Sequence, residues 1–196
     1  MSELSHKDLE IFIIPGLEER MQAIRKNVHP KLKGLGEALA EPLGRMAGEP
    51  LYPYVAKHAR RSVNPPDDTW VAFGPHTGGY KKFPYVGVAV SRFGVHPQVV
   101  AKPETWDTDR PAMADRLDAR RPRLRLANLL DWDFQAPPEE READDAFWDA
   151  RLHKMRLKTG GLDLGRTLAP ERAGPDGLLG ELEDFVDLYR ILRGLS

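Results

Sequence analysis

Four short segments between Tyr52 and Ala101 read as strands, and the turns between them are too short to hold a crossover helix. Leu51–Arg60 carries Tyr52, Tyr54 and Val55, which favour a strand, and Pro53, which argues against a helix interior. Thr69–Gly74 and Phe83–Ser91 follow, and Gln98–Ala101 is the fourth, entered through a connection at Gly94-Val95-His96-Pro97. Asn64–Asp68 and Pro75–Gly79 are built from turn residues. Parallel neighbours need a dozen or more residues of connection, so an antiparallel meander is expected. Within Phe83–Ser91, Val86, Val88 and Val90 share one face, and Gly87, Ala89 and Ser91 the other. A small-residue face implies close approach by a neighbouring element.

Helical patterns flank this block. Leu17, Met21, Ile24 and Val28 recur at helical spacing, as do Leu32, Leu35, Leu39, Leu43 and Met46. Pro30 interrupts them, which predicts two helical pieces or one kinked helix over 16–47, stopped by Gly48 and Pro50. The apolar run Leu9–Ile14, ended by Pro15, reads as a buried strand. Downstream, Lys102–Arg123 is expected to be loop plus a short helix, and Arg123–Leu129 a strand with one wet face. A helix should open at Pro137-Pro138, carry Glu139, Glu140 and Glu142 in its first turns and run to about Lys158. Leu162–Leu168 is a short strand candidate. The last helix begins at Gly174–Asp176 with Leu178, Leu182, Phe185, Tyr189 and Leu192 on its apolar stripe.

Composition narrows the class. The chain has 196 residues, 41% apolar and 30% charged, which suits one globular domain over 1–196. No apolar run approaches the roughly 20 residues of a membrane helix, and Met1–Glu10 lacks a secretory apolar core. A cytoplasmic setting is expected. With no cysteine, there is no disulfide, thiolate ligand or thiol nucleophile. Net charge is −1 but unevenly spread. Residues 51–102 hold seven basic side chains (Lys57, Arg60, Arg61, Lys81, Lys82, Arg92 and Lys102) against Asp67 and Asp68 alone. The excess suits an anionic partner, or an acidic C-terminal part packed against it.

The runs "KHARR" at 57–61, "NPPDDTWVAF" at 64–73 and "GYKK" at 79–82, with "IPGLEERM" at 14–21, resemble the signature of the YktB-like family of uncharacterised bacterial proteins. The resemblance is clearest over residues 9–104 and fades after Trp106. Where the family has an Asp-His pair, this chain reads Asp131-Trp132-Asp133-Phe134, so no histidine role carries over there. The resemblance implies an α+β fold: a curved, mostly antiparallel sheet packed against helices, similar to the TATA-binding-protein type. Its sheet-forming part would span about 9–104 and a mainly helical part about 105–196. That architecture serves unrelated roles and does not by itself imply DNA binding.

The candidate ligand-binding residues are Lys57, His58, Arg60, Arg61, Asn64, Tyr80, Lys81 and Lys82. Arginine offers a planar fork to phosphate or carboxylate, and lysine a point charge. Against this stands pairing with Asp67, Asp68 and the acidic C-terminal helices. Asn64-Pro65-Pro66-Asp67-Asp68 reads as a rigid turn before it reads as a metal site, and Trp70 reads as core. Gly78-Gly79-Tyr80-Lys81-Lys82 lacks the spacing of a phosphate-binding loop and opens no helix. Tyr80 could stack on a ring or cover the sheet edge. In a plain meander the Arg61–Asp68 and Pro75–Gly79 turns lie at opposite ends of Thr69–Gly74, about 17–20 Å apart, which suits an extended anion such as nucleic acid and, equally well, two separate structural roles.

The six histidines, His6, His29, His58, His76, His96 and His153, show no metal-ligand spacing, and Ser62 and Ser91 have no evident base. No metal, cofactor or catalytic residue is assigned. Three readings remain: binding of an anionic ligand or nucleic acid through residues 57–82, a metal-independent enzyme acting on a phosphorylated or carboxylated small molecule, and a structural or protein-interaction module.

Overall fold

In the computed structural model, which describes residues 3–103, 110–121, 130–131 and 143–195, an antiparallel sheet packs against helices. The fold is α+β. The elements in chain order are α1 (His6–Glu10), a 3₁₀ turn (Ile11–Ile13), α2 (Leu17–Ala23), a π turn (Ile24–Val28) and α3 (His29–Ala47). Then come β1 (Tyr52–Val55), β2 (Asp68–Gly74), β3 (Tyr85–Ser91), β4 (Gly94–Ala101) and α4 (Arg110–Arg120). The two-residue β5 (Leu130–Asp131), α5 (Asp145–Arg156), β6 (Leu162–Gly165), a 3₁₀ turn (Pro170–Arg172) and α6 (Pro175–Arg193) complete them. Strand order is β1-β2-β3-β4-β6-β5, every pair antiparallel. β1 to β4 form the expected meander, and β6 joins it from the later part of the chain.

One sheet face carries Val71, Phe73, Val86, Val88, Val90, Val95 and Val99, all buried in one core with the apolar stripes of α3 and α6. Leu32, Leu39 and Leu43 of α3, and Leu178, Leu182 and Phe185 of α6, supply its interior. Gly36 lets α3 lie close on the sheet. A Cβ there would stand 2.9 Å from Pro53 Cβ and 3.2 Å from Val71 Cγ2. The opposite face carries a smaller cluster of Ala72, Tyr80, Tyr85 and Val100, with Tyr54 and Trp70 packed against it.

Two expectations change. Leu9–Ile13 is helical, not a strand. Ser5 N–H and Oγ–H both donate to Asp8 Oδ2 at 2.8 Å, and Asp8 N–H donates to Ser5 O at 2.9 Å. This cap nucleates a turn that the apolar run continues. Gly94–Pro97 is strand rather than connection, because Ser91 faces Gly94 across a two-residue hairpin at Arg92-Phe93. Pro97 is tolerated in mid-sheet. Its carbonyl accepts from Arg166 N–H at 3.1 Å on the β6 side. A strand residue's N–H and C=O point the same way, so the missing donor falls there and not in the hairpin.

The chain is helical from Leu17 to Ala47 as expected, in two α-helical pieces joined by the π turn just before Pro30, which sits in the first turn of α3. The strand expected at Arg123–Leu129 and the helix start at Pro137–Glu142 lie outside the described residues. Asp144 caps α5, its side chain accepting from Phe147 N–H at 2.7 Å. No described helix is long and apolar enough to cross a membrane.

Candidate functional site

β1 is too short to cover β2. Their register ends at Val55 opposite Val71, and Ala56 N–H adds one bond to Trp70 O at 2.9 Å. Beyond that point no strand among the described residues lies beside the edge of β2. His58 fills the gap. Its Nε2 lies 3.0 Å from Thr69 Oγ1, and His29 Nε2, from the first turn of α3, lies 3.3 Å from the same oxygen. One hydroxyl has one proton, so Thr69 donates to one imidazole and accepts from the other. The His58 ring stands edge-on to Trp70 at 5.4 Å. Its φ of 50° makes it the one non-glycine residue in the left-handed region among the described residues. Such a conformation persists where surrounding contacts enforce it, often at working sites.

Residues 75–84, between β2 and β3, fold back over the sheet face opposite the helices. Tyr80 is the anchor. Its ring packs on Tyr54 at 5.7 Å and edge-on to Tyr85 at 4.9 Å, and its hydroxyl accepts from Trp70 Nε1–H at 3.1 Å. Gly74 makes room, since a Cβ there would stand 2.6 Å from Tyr80 Cβ. Tyr54 Oη–H donates to His76 O at 2.7 Å and holds the start of the loop. Trp70 is therefore not core, as its sequence pattern suggested. It belongs to the second face and is half-buried.

This fold-back overturns the separation expected from strand length. Lys57, Arg60 and Arg61 share one cavity of about 340 Å³ with Lys81, against Tyr54, Trp70, Tyr80 and His58. A second cavity of about 610 Å³ adjoins it, lined by His76, Gly78, Gly79, Lys82 and Phe83 together with Tyr54, Lys57, Tyr80 and Lys81. Asn64 lines neither. Its carbonyl and that of Pro65 receive Arg61 Nη1 at 3.5 and 3.3 Å. The corner is held from behind by Arg20, which donates to Pro66 O at 3.0 Å.

Among the described residues no carboxylate lies within ion-pair distance of Lys57, Arg60, Arg61 or Lys81. Asp67 faces Arg20 at 3.6 Å, and Asp68 is buried. The acidic C-terminal part satisfies much of its charge internally, through Arg121 with Asp118 and Asp149, Arg156 with Asp115, and Arg166 with Glu181 and Asp184. Burial, then the positive charge of Arg61 and the neighbouring His29, Arg25 and Lys81, lowers the His58 pKa to about 4. His58 is neutral at pH 7. Burial raises the Asp68 carboxyl to about 7.

Sequence reasoning missed several neighbours. Arg25 sits in the π turn, whose extra residue per turn re-aims side chains. Thr69, His29, Tyr54, Trp70, His76 and Phe83 meet only through long-range packing. Ser91 has a base after all, with His96 Nε2 2.8 Å from its Oγ. Both side chains are fully buried, so no substrate reaches them and the pair is structural. Among the described residues no cluster of three or more His, Cys, Asp or Glu could hold a metal ion.

Comparison with known proteins gives one family match. Residues 4–174 match the family model described as "Domain of unknown function (DUF1054)". A UPF0637 protein of Bacillus mycoides (strain KBAB4) is 52% identical over 89 residues, which cover 45% of this chain and 42% of that protein. UPF0637 proteins of Bacillus cereus (strain B4264) and Bacillus thuringiensis (strain Al Hakam) are 51% identical over the same lengths. The chain thus matches under half the length of these curated relatives.

Proposed function

We propose that this chain, which belongs to the DUF1054 family, binds a small anionic ligand in the cavity beside the end of β1. One observation carries the reading. Lys57, Arg60, Arg61 and Lys81, from two segments distant in sequence, line a single concave site and face no carboxylate there among the described residues. Uncompensated cations focused in a cleft raise the local concentration of anions. Arginine forks can hold phosphate or carboxylate in two bonds, and the aromatic wall supplies apolar surface for the rest of the ligand. The expected preference for an extended anion rested on a separation that the fold-back removes.

A second reading, a metal-independent enzyme acting on a phosphorylated or carboxylated small molecule, is favoured by His58. It is a strained, neutral imidazole on the cavity wall, hydrogen-bonded to buried Thr69.

The test is calorimetric titration of the wild type at low salt with phosphate, pyrophosphate, citrate and nucleoside monophosphates, repeated with Arg60→Ala/Arg61→Ala. Saturable binding that the double variant loses supports the proposal. No binding of any of these anions by the wild type sinks it.

A further inference from the structure

The two cavities are joined. Tyr54, Lys57, Tyr80 and Lys81 line both, so they form a ridge with one cavity on each side. Two lysines stand where the cavities meet. Away from the ridge each cavity has its own aromatic wall. In the first, His58 stands edge-on to Trp70. In the second, His76 stacks on Phe83 at 6.0 Å with 17° between the planes. Their volumes, about 340 and 610 Å³, each fall within the range of about 300–1,000 Å³ typical of small-molecule sites.

Each cavity thus has rings of its own, and the two lysines are common to both. Aromatic walls accept planar bases by stacking, whatever their hydrogen-bonding edge. Lysine ammonium groups suit phosphate as point charges. We propose that the ligand is a dinucleotide unit, with one base in each cavity and the linking phosphate on the Lys57–Lys81 ridge. This rests on the anion-binding reading and deepens it. A free dinucleotide and a two-nucleotide stretch of single strand offer the same chemistry to the site. Arg60 and Arg61 line the first cavity alone, so a terminal phosphate belongs on that side.

The experiment is titration at low salt with inorganic phosphate, AMP, a 3′–5′ linked diadenylate, a 5′–5′ pyrophosphate-linked dinucleotide and a short single-stranded oligonucleotide. The better of the two dinucleotides should bind about tenfold or more tighter than AMP, because the second base binds at high effective concentration. His76→Ala should erase that gain, bringing the dinucleotide down to the affinity of AMP for the same variant. Arg60→Ala should weaken AMP and dinucleotide alike, and Lys57→Ala should weaken the dinucleotide. Thermal melts of each variant confirm that it folds. An oligonucleotide that binds more tightly than the diadenylate identifies a strand as the source, and one that binds no tighter identifies a free dinucleotide. Each of these supports the proposal. Phosphate and AMP bound with neither dinucleotide bound more tightly would overturn it and leave the anion site standing. No binding of any probe removes both.

Discussion

The indole N–H of Trp70 donates to the hydroxyl of Tyr80 at 3.1 Å and ties β2 to the loop that folds back over it. His58 of the first basic run stands edge-on to Trp70 at 5.4 Å, and Tyr80 precedes Lys81 in the second. The bond therefore brings together the two halves of the cationic site. Tyr80→Phe keeps the ring and removes the acceptor. The expected loss is about 0.5–1.5 kcal/mol of stability, measured by urea unfolding, with weaker anion binding as Lys81 withdraws. Full wild-type affinity in a destabilised variant would separate the loop tie from the site.

Removing the arginines should affect binding far more than folding. Arg60 and Arg61 are exposed, and the polar contacts of Arg61 are long bonds to the Asn64 and Pro65 carbonyls. Arg60→Ala/Arg61→Ala should change stability by about 0–1 kcal/mol, read from the urea midpoint, while the calorimetric signal for phosphate disappears.

Acid should destabilise the protein in a defined window. Burial lowers His96 from 6.5 to about 3, and burial with nearby cations lowers His58 to about 4. The unfolded chain takes up those protons first, so the stability they represent is present above pH 6.5 and is lost as pH falls toward these values. Asp68 works the other way. Burial raises it from 3.8 to about 7, so its contribution is present below 3.8 and is lost as pH rises through 7. Between pH 4 and 6.5 the two histidines outweigh the one carboxyl. Stability should rise with pH there by about 1.4 kcal/mol per unit for each net proton. Asp68→Asn should steepen the rise and His96→Gln should flatten it, both read from urea midpoints across this range.

Gly36 is a steric test of how closely α3 lies on the sheet. Gly36→Val would press branched carbons into Pro53 and Val71. Helix propensity alone predicts little harm, since glycine is the poorer helix former. Overpacking predicts a net loss of about 1–3 kcal/mol. Denaturant unfolding decides between them, and an unchanged midpoint would show that the interface can spread.

Patterns that repeat locally were legible in the sequence. The meander followed from turn spacing, the 17–46 helix and the α6 stripe from periodicity, and seven of the eight candidate residues line one cavity or the other. Features set by contacts far apart in the chain were not. The fold-back of 75–84 depends on Gly74 leaving space and on Trp70 reaching Tyr80, neither of which any window of residues shows. The helical start at 6–13 turns on a cap at Ser5 and Asp8, because a short apolar run fits helix and strand equally well.

The abrupt end of β1 separates two demands that usually compete. Lys57, Arg60 and Arg61 hang from irregular chain at the edge of the sheet, and Lys81 from the loop across it. None of the four belongs to the apolar core. Such positions can be exchanged with little penalty to folding. A lineage could therefore retune what this cavity accepts, one rim residue at a time, without repacking the helices beneath it.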